Sequence, residues 1–186
     1  MNEIEKEIQS CNKCGILPKL TDVTLQKGKC NILVLGESPA KDGWMISKKP
    51  FYNKEGKLQA SGKVLSKLLS LCGLTIEDIS FTEVCKCIIS NRKKLGECSK
   101  NCKPILFKQL NMLKFDIILT MGKYPTEIML QKENLKLKDV VGKTFEISIN
   151  GEIKTLIPIY HTSPLNPLCY KGNEEIFIKL KEYLKS

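Results

Sequence analysis

Arginine is almost absent from this chain, histidine and tryptophan each occur once, and no apolar run approaches the length of a membrane span. Each shortage narrows the reading. A spanning helix needs roughly 20 consecutive apolar residues, and a secretory leader is apolar where this N-terminus, MNEIEKEIQS, is charged. The chain is therefore expected to be cytoplasmic, with no membrane partner. Of 30 Lys and Arg residues, set against 20 Asp and Glu for a net charge of +10, only Arg92 is an arginine. A basic surplus favours polyanionic partners, nucleic acid first, although scattered lysines also serve as a solvated face. There is no internal repeat, low-complexity tract or linker-like stretch. Residues 1–186 are expected to form one domain with a sizeable core, and the protein a monomer.

Cysteine, by contrast, is abundant, with nine residues. Reducing conditions argue against a disulfide framework, so these thiols need a metal, a redox role or burial. Cys30 abuts an apolar strand and Cys72 lies on an apolar helix, and both are read as core residues; Cys169 is unassigned. Cys11 and Cys14 form a CxxC pair after a short helical opening. The pair precedes the first clear strand instead of closing one, which favours metal ligation over thioredoxin-like redox chemistry. Cys11, Cys14, Cys87 and Cys102 can make one four-thiolate site that ties the N-terminal segment to the loop after the second strand. Four thiolates suit zinc or an iron–sulfur cluster, and spacing alone does not choose. Cys85 and Cys98 compete for the later two places.

Strands and helices alternate along the chain. The apolar runs at 31–35, 79–85 and 116–122 read as strands, and 61–72 and 124–131 as helices. Pro104 suits the first turn of a helix carrying Ile105, Leu106, Leu110 and Leu113, preceded by a polar connection over 86–103. Asn150-Gly151 signals a hairpin. A last helix starts near Asn173, an N-cap type, and should bury Ile176, Phe177, Leu180 and Leu184. The fold class expected is α/β: a three-layer α/β/α sandwich around a central, mainly parallel four-stranded sheet.

In such a sheet, ligands bind beyond the carboxyl ends of the strands. That rule points to the loop from Gly36 to Asp42, and to His161, which ends a predicted strand before a Ser-Pro turn. The long irregular segment at 36–60, with Trp44, Phe51 and Tyr52, is of a length usually kept for function.

The set GESPAKDG (36–43), KPF (49–51), VCKC (84–87), CKP (102–104) and HTSPLNP (161–167) covers most of the chain and resembles the uracil-DNA glycosylase superfamily, most closely its iron–sulfur branches, families 4 and 5. The resemblance implies a 4Fe-4S cluster on Cys11, Cys14, Cys87 and Cys102, with Cys85 and Cys98 as non-ligands; zinc is the alternative metal. It makes His161 the residue that hydrogen-bonds the departing base, Phe51 the aromatic on which a flipped base stacks, and Leu165 the wedge entering the duplex. Ser163 and Asn166 fall in the same DNA-contacting loop, and Glu37 beside the base. Ser38 stands where the best-known uracil enzymes carry a water-orienting aspartate, and Asp42 where the family 5 pattern GLAPAxHG has histidine; both are catalytic candidates. Glu83 replaces the asparagine with which uracil readers usually grip the base. An ionised glutamate only accepts hydrogen bonds, which would shift base choice toward amino-bearing or modified bases unless the group is protonated. The expected function is a monofunctional DNA glycosylase releasing uracil or another deaminated or modified base in base excision repair, acting on single- or double-stranded DNA. The alternatives are a noncatalytic nucleic-acid-binding protein and a zinc-bound interaction module.

Overall fold

The structure, a computed structural model, describes residues 3–16, 25–40 and 43–184. In chain order the elements are α1 (Glu3–Ser10), β1 (Leu25–Gln26), β2 (Ile32–Gly36), α2 (Trp44–Ser47), α3 (Ala60–Leu71), β3 (Ser80–Glu83), α4 (Leu95–Leu110), β4 (Ile117–Met121), α5 (Lys123–Leu130), β5 (Phe145–Ile149), β6 (Glu152–Ile159) and α6 (Glu174–Tyr183). No helix among the described residues is long and apolar enough to cross a membrane.

The strands form one sheet in the order β1-β3-β2-β4-β6-β5. The inner four are parallel, and β1 and β5 pair antiparallel at the two edges. The sheet therefore has six strands, not the four expected, although the mixed α/β class holds. β1 is only two residues long and offers no periodicity to read. β5 joins through the anticipated hairpin, where Asn150 and Gly151 take φ of +52° and +82°, the type I′ geometry that suits strand twist.

Every residue of β2 and β4 is buried, because helices cover both faces. The pleat sends Ile32 and Val34 into one core with Leu65, Leu68, Leu69, Phe81 and Phe177, and Leu33 and Leu35 into another with Leu106, Leu110, Ile118 and Ile128. Helices α3 and α6 lie on the first face and α4 and α5 on the second. Helix α3 ends as a Schellman motif: Gly73 takes φ +77°, its N–H donates to the Ser70 carbonyl, and the Leu74 N–H donates to Leu69.

Three local expectations need correction. Helix α4 begins at Leu95, not near Pro104, which lies inside it. Its buried stripe is Leu95, Cys98, Ser99, Cys102, Ile105, Leu106, Gln109 and Leu110, a helical 3–4 spacing whose first half, after Leu95, consists of thiols and a hydroxyl. A search for apolar periodicity therefore sees only the second half. At the end of the chain Leu184 is exposed, leaving Phe177 and Leu180 as the buried pair of α6. Asn173 occupies the N-cap position, but its side chain makes no cap hydrogen bond and is used elsewhere.

Candidate active site and thiol cluster

The four parallel strands end side by side at Glu83, Gly36, Met121 and Ile159. From β2 the chain crosses to β3 on one side, whereas β4 leads to β6 on the other, so the switch of direction falls between β2 and β4. Glu37 follows β2 directly into this crevice. A Cβ placed on Gly122, at the end of β4, would sit 2.7 Å from Glu37 Oε1, and Gly122 has φ +102°. The carboxylate thus lies against a bare α-carbon that only glycine supplies. Arg92 Nη2 pairs with Glu37 Oε2 at 2.7 Å, reaching it from the loop after β3.

Glu83 closes β3 opposite Gly36 in the ladder. A Cβ on Gly36 would meet Glu83 Cγ at 3.2 Å and Phe81 Cζ at 3.0 Å, so this glycine leaves the seat for the carboxyl group. Part of the residue is accessible along its length, yet Oε2 is sealed and has no hydrogen-bond partner among the described residues. Burial pushes the Glu83 carboxyl up to about 8, with Lys86 opposing and Glu37 reinforcing the rise. Lys86 is 1% exposed. Its ammonium donates to Thr82 Oγ1 at 3.0 Å and to the Glu83 backbone carbonyl, and burial pulls it down to about 8.

His161 follows β6. The Ser163 amide donates to His161 Nδ1 at 3.0 Å, so in the neutral ring the proton sits on Nε2. Burial lowers the imidazole below its ordinary value, against a pull upward from Glu37, while Arg92 adds to the lowering. The neutral ring is therefore a fixed hydrogen-bond donor at neutral pH. Its strand end is held by Asn173, whose Oδ1 accepts from the Tyr160 N–H at 2.8 Å and whose Nδ2 donates to the carbonyls of Tyr160 (3.0 Å) and Cys169 (2.9 Å). In the turn beyond, the Leu165 N–H donates to Ser163 Oγ, and Asn166 both donates to the His161 carbonyl and accepts from the Leu168 N–H. Asn166 thus shapes the turn from within. Leu165 stands at its tip, 95% exposed.

Phe51 lies behind Gly36 in an aromatic group, its ring 4.5 Å from Phe81 and tilted 58°; Trp44 lies 5.2 Å from Phe81. Phe51 has φ +69°, which for a bulky residue is a strained conformation held by its surroundings. Two of those surroundings are the Gln59 N–H, donating to the Phe51 carbonyl at 2.8 Å, and Gly62, where any Cβ would come within 2.7 Å of Phe51 Cβ. The indole N–H of Trp44 is buried without a partner among the described residues. Ser38, half-buried, follows Glu37. Asp42 lies outside the described residues.

The structure thus brings Glu37, Glu83 and His161 to one edge, with Phe51 behind them. Sequence reasoning missed Arg92 and Lys86 as parts of this arrangement. Arg92 was conspicuous as the lone arginine, but its pairing with Glu37 spans 55 residues of chain. Lys86 was masked by the cysteines on either side of it.

The thiols gather on the far side of Lys86. Cys85, Cys98 and Cys102 are buried together, with Cys14 and Cys87 packed against them. Cys11 and Cys14 follow α1 in a turn in which the Gly15 N–H donates to the Asn12 carbonyl, and Asn101 Nδ2 lies 3.5 Å from Cys14 Sγ. The Lys108–Glu7 ion pair fastens α1 to α4. Cys102 is held down to about 6 as the Cys85 thiol donates to it, helped by the Lys86 amide and ammonium. Cys85 is pushed well up by the same contact, and burial pushes Cys98 up to about 12. The thiolate form is therefore favoured at Cys102, and the protonated form at Cys85 and Cys98. Among the described residues no three groups converge on one point as a metal's ligands would, but the donor chemistry fits a thiolate site.

A family model for the uracil DNA glycosylase superfamily matches residues 24–185. The chain is 31% identical over 192 aligned residues to a type-4 uracil-DNA glycosylase of Saccharolobus solfataricus, an alignment covering 98% of this chain and 86% of the relative. It is 28% identical to one from Archaeoglobus fulgidus, covering 98% and 92%, and 25% identical to one from Thermotoga maritima, covering 100% and 92%.

Proposed function

Since the chain belongs to the uracil-DNA glycosylase superfamily, we propose that it is a monofunctional DNA glycosylase that releases uracil from DNA, in the cytoplasm and as the first step of base excision repair. The observation that carries this reading is the neutral imidazole of His161, fixed as an Nε2–H donor at the sheet's switch-point edge beside Glu37. In hydrolysis of the N-glycosidic bond, C1′–N1 breaks with its electron pair leaving on the base, and water adds at C1′. Water's proton then neutralises the released base. His161 stabilises the departing anion through a preorganised hydrogen bond. The Glu37 carboxylate, held by Arg92, lies where it can offset the positive charge on the sugar, and Ser38 and Asp42 belong to the loop that admits water. Phe51 and Glu83 bound the base. The relatives are type-4 uracil-DNA glycosylases, which supports the same substrate.

The base is buried in a duplex stack and must be flipped out. Leu165 is the wedge, and Ser163 and the turn amides hold phosphates. Replacing Leu165 with alanine is expected to lower kcat/KM on duplex substrate by about tenfold while sparing single-stranded substrate, with folding stability changed by no more than about 0.5 kcal/mol because the side chain packs on nothing. Equal losses on both substrates would remove the wedge role.

Cys11, Cys14, Cys87 and Cys102 would hold a 4Fe-4S cluster, with zinc as the competing occupant. Such a group would serve structure, joining α1 to α4 and to the loop after β3. Colour and metal analysis distinguish the two, since iron–sulfur protein is brown and zinc thiolate colourless. The test of the activity is incubation with single-stranded and duplex oligonucleotides carrying one uracil, followed by alkaline cleavage at abasic sites. Strand breaks at the uracil are expected, and intact strands would overturn the assignment.

A further inference from the structure

Glu83 Oε2 is sealed at the edge of the site and has no partner among the described residues. A buried ionised carboxylate left unpaired is costly enough that the group normally neutralises instead. The charged groups around it leave it that way. From β2, Glu37 is a like charge already committed to Arg92 at 2.7 Å. From the turn after β3, Lys86 aims its ammonium at Thr82 Oγ1 and the Glu83 backbone carbonyl, with Cys102 on its other side. From β6, His161 is held neutral by burial. Among the described residues, no cation faces the Glu83 carboxyl in an ion pair.

A neutral carboxyl has one O–H donor and one carbonyl acceptor side by side, the same complement as a primary amide. Uracil presents the matching pair, an O4 acceptor next to an N3–H donor. We infer that Glu83 works as a neutral carboxylic acid whose sealed oxygen turns toward an entering base, so that the group donates to O4 and accepts from N3–H, and so is an acid surrogate for an amide in reading the imide edge of a pyrimidine. This rests on the uracil-releasing reading above. It reverses the expectation that glutamate at this place moves base choice toward amino-bearing bases, because that expectation requires the ionised form. It also makes recognition pH-dependent in a way an amide would not be. When Glu83 ionises, both its oxygens become acceptors and one faces O4 repulsively. Burial holds the group protonated up to about pH 8, so uracil release should survive at neutral pH and fail above that point.

The test compares wild type with Glu83→Gln on a single-stranded uracil oligonucleotide from about pH 6 to about pH 9. Above about pH 8, wild-type kcat/KM should fall by about tenfold per pH unit, while E83Q, which cannot ionise, follows a flat profile and overtakes the wild type by about tenfold near pH 9. Parallel profiles overturn the inference. So does preferential release of amino-bearing bases by the wild type at neutral pH. A second measurement needs neither activity nor a folded variant: the infrared carbonyl band of a protonated carboxyl should be present in the wild type at neutral pH and vanish as pH rises through about 8. Its absence at neutral pH also overturns the inference. If neither protein releases uracil at any pH, the proposed reaction falls and this base-reading role with it, whereas a flat wild-type profile with active enzyme removes only the role of Glu83.

Discussion

Replacing His161 with alanine is expected to lower kcat for uracil release by about 10²–10³-fold with little change in KM. The base carries little negative charge when it binds and close to a full charge when it leaves. A donor at its edge therefore acts mainly on the transition state. The size of the effect follows from preorganisation. The Ser163 amide fixes the tautomer, Asn173 fixes the strand end, and burial keeps the ring neutral. Glutamine, whose amide can still donate, should recover part of the loss, and steady-state rates on one oligonucleotide decide the matter. A loss shared equally between kcat and binding would mean that the ring only shapes the turn. The pH dependence has a definite sign. His161 titrates below its ordinary 6.5 in the folded protein, so the unfolded chain takes up the proton first as pH falls. The stability tied to the neutral ring is full above 6.5 and is lost as pH drops through 6.5 toward the lower folded value. Activity should persist into mildly acidic solution, where an exposed histidine would already be charged.

Cys102→Ala is expected to abolish metal content and to destabilise the fold by about 3–5 kcal/mol. Two causes add. The proposed ligand is lost, and Lys86 loses the Cys102 thiolate, the charge that most strongly favours its ammonium deep in the protein. Cys85→Ala, by contrast, removes a thiol that donates to Cys102 and keeps its own proton, and should leave iron or zinc bound with a smaller loss of stability. Metal analysis, visible absorption and urea melts on the two variants make the comparison. If Cys85→Ala empties the site and Cys102→Ala does not, the ligand assignment is wrong.

The inner strands could be read from the chain because parallel strands covered on both faces are continuous apolar runs, as in Ile32–Gly36 and Ile117–Met121. The hairpin was readable for a local reason too, since Asn150-Gly151 has few other uses. Helix α4 was half hidden because, after Leu95, the first half of its inner stripe is Cys98, Ser99 and Cys102, which carry little apolar signal. At the active edge, His161 and Glu83 stood out as polar residues at the ends of apolar strands. What stood beyond reach was pairing. That Arg92 would take Glu37, and that Lys86 would turn toward Thr82 and leave the Glu83 carboxyl alone, depends on how distant segments meet in space.

Asn173 carries a consequence for anyone handling this protein. Its side chain is spent on Tyr160 and Cys169, so the first residue ahead of the C-terminal helix is also the anchor of the histidine turn. The helix and the turn are joined through this one side chain. A C-terminal fusion, affinity tag or truncation that loosens α6 would reach the active edge without touching any residue there, and an inactive preparation could reflect the engineering of its tail. Tags are better placed at the other end, provided that they leave the Cys11 and Cys14 turn free to close.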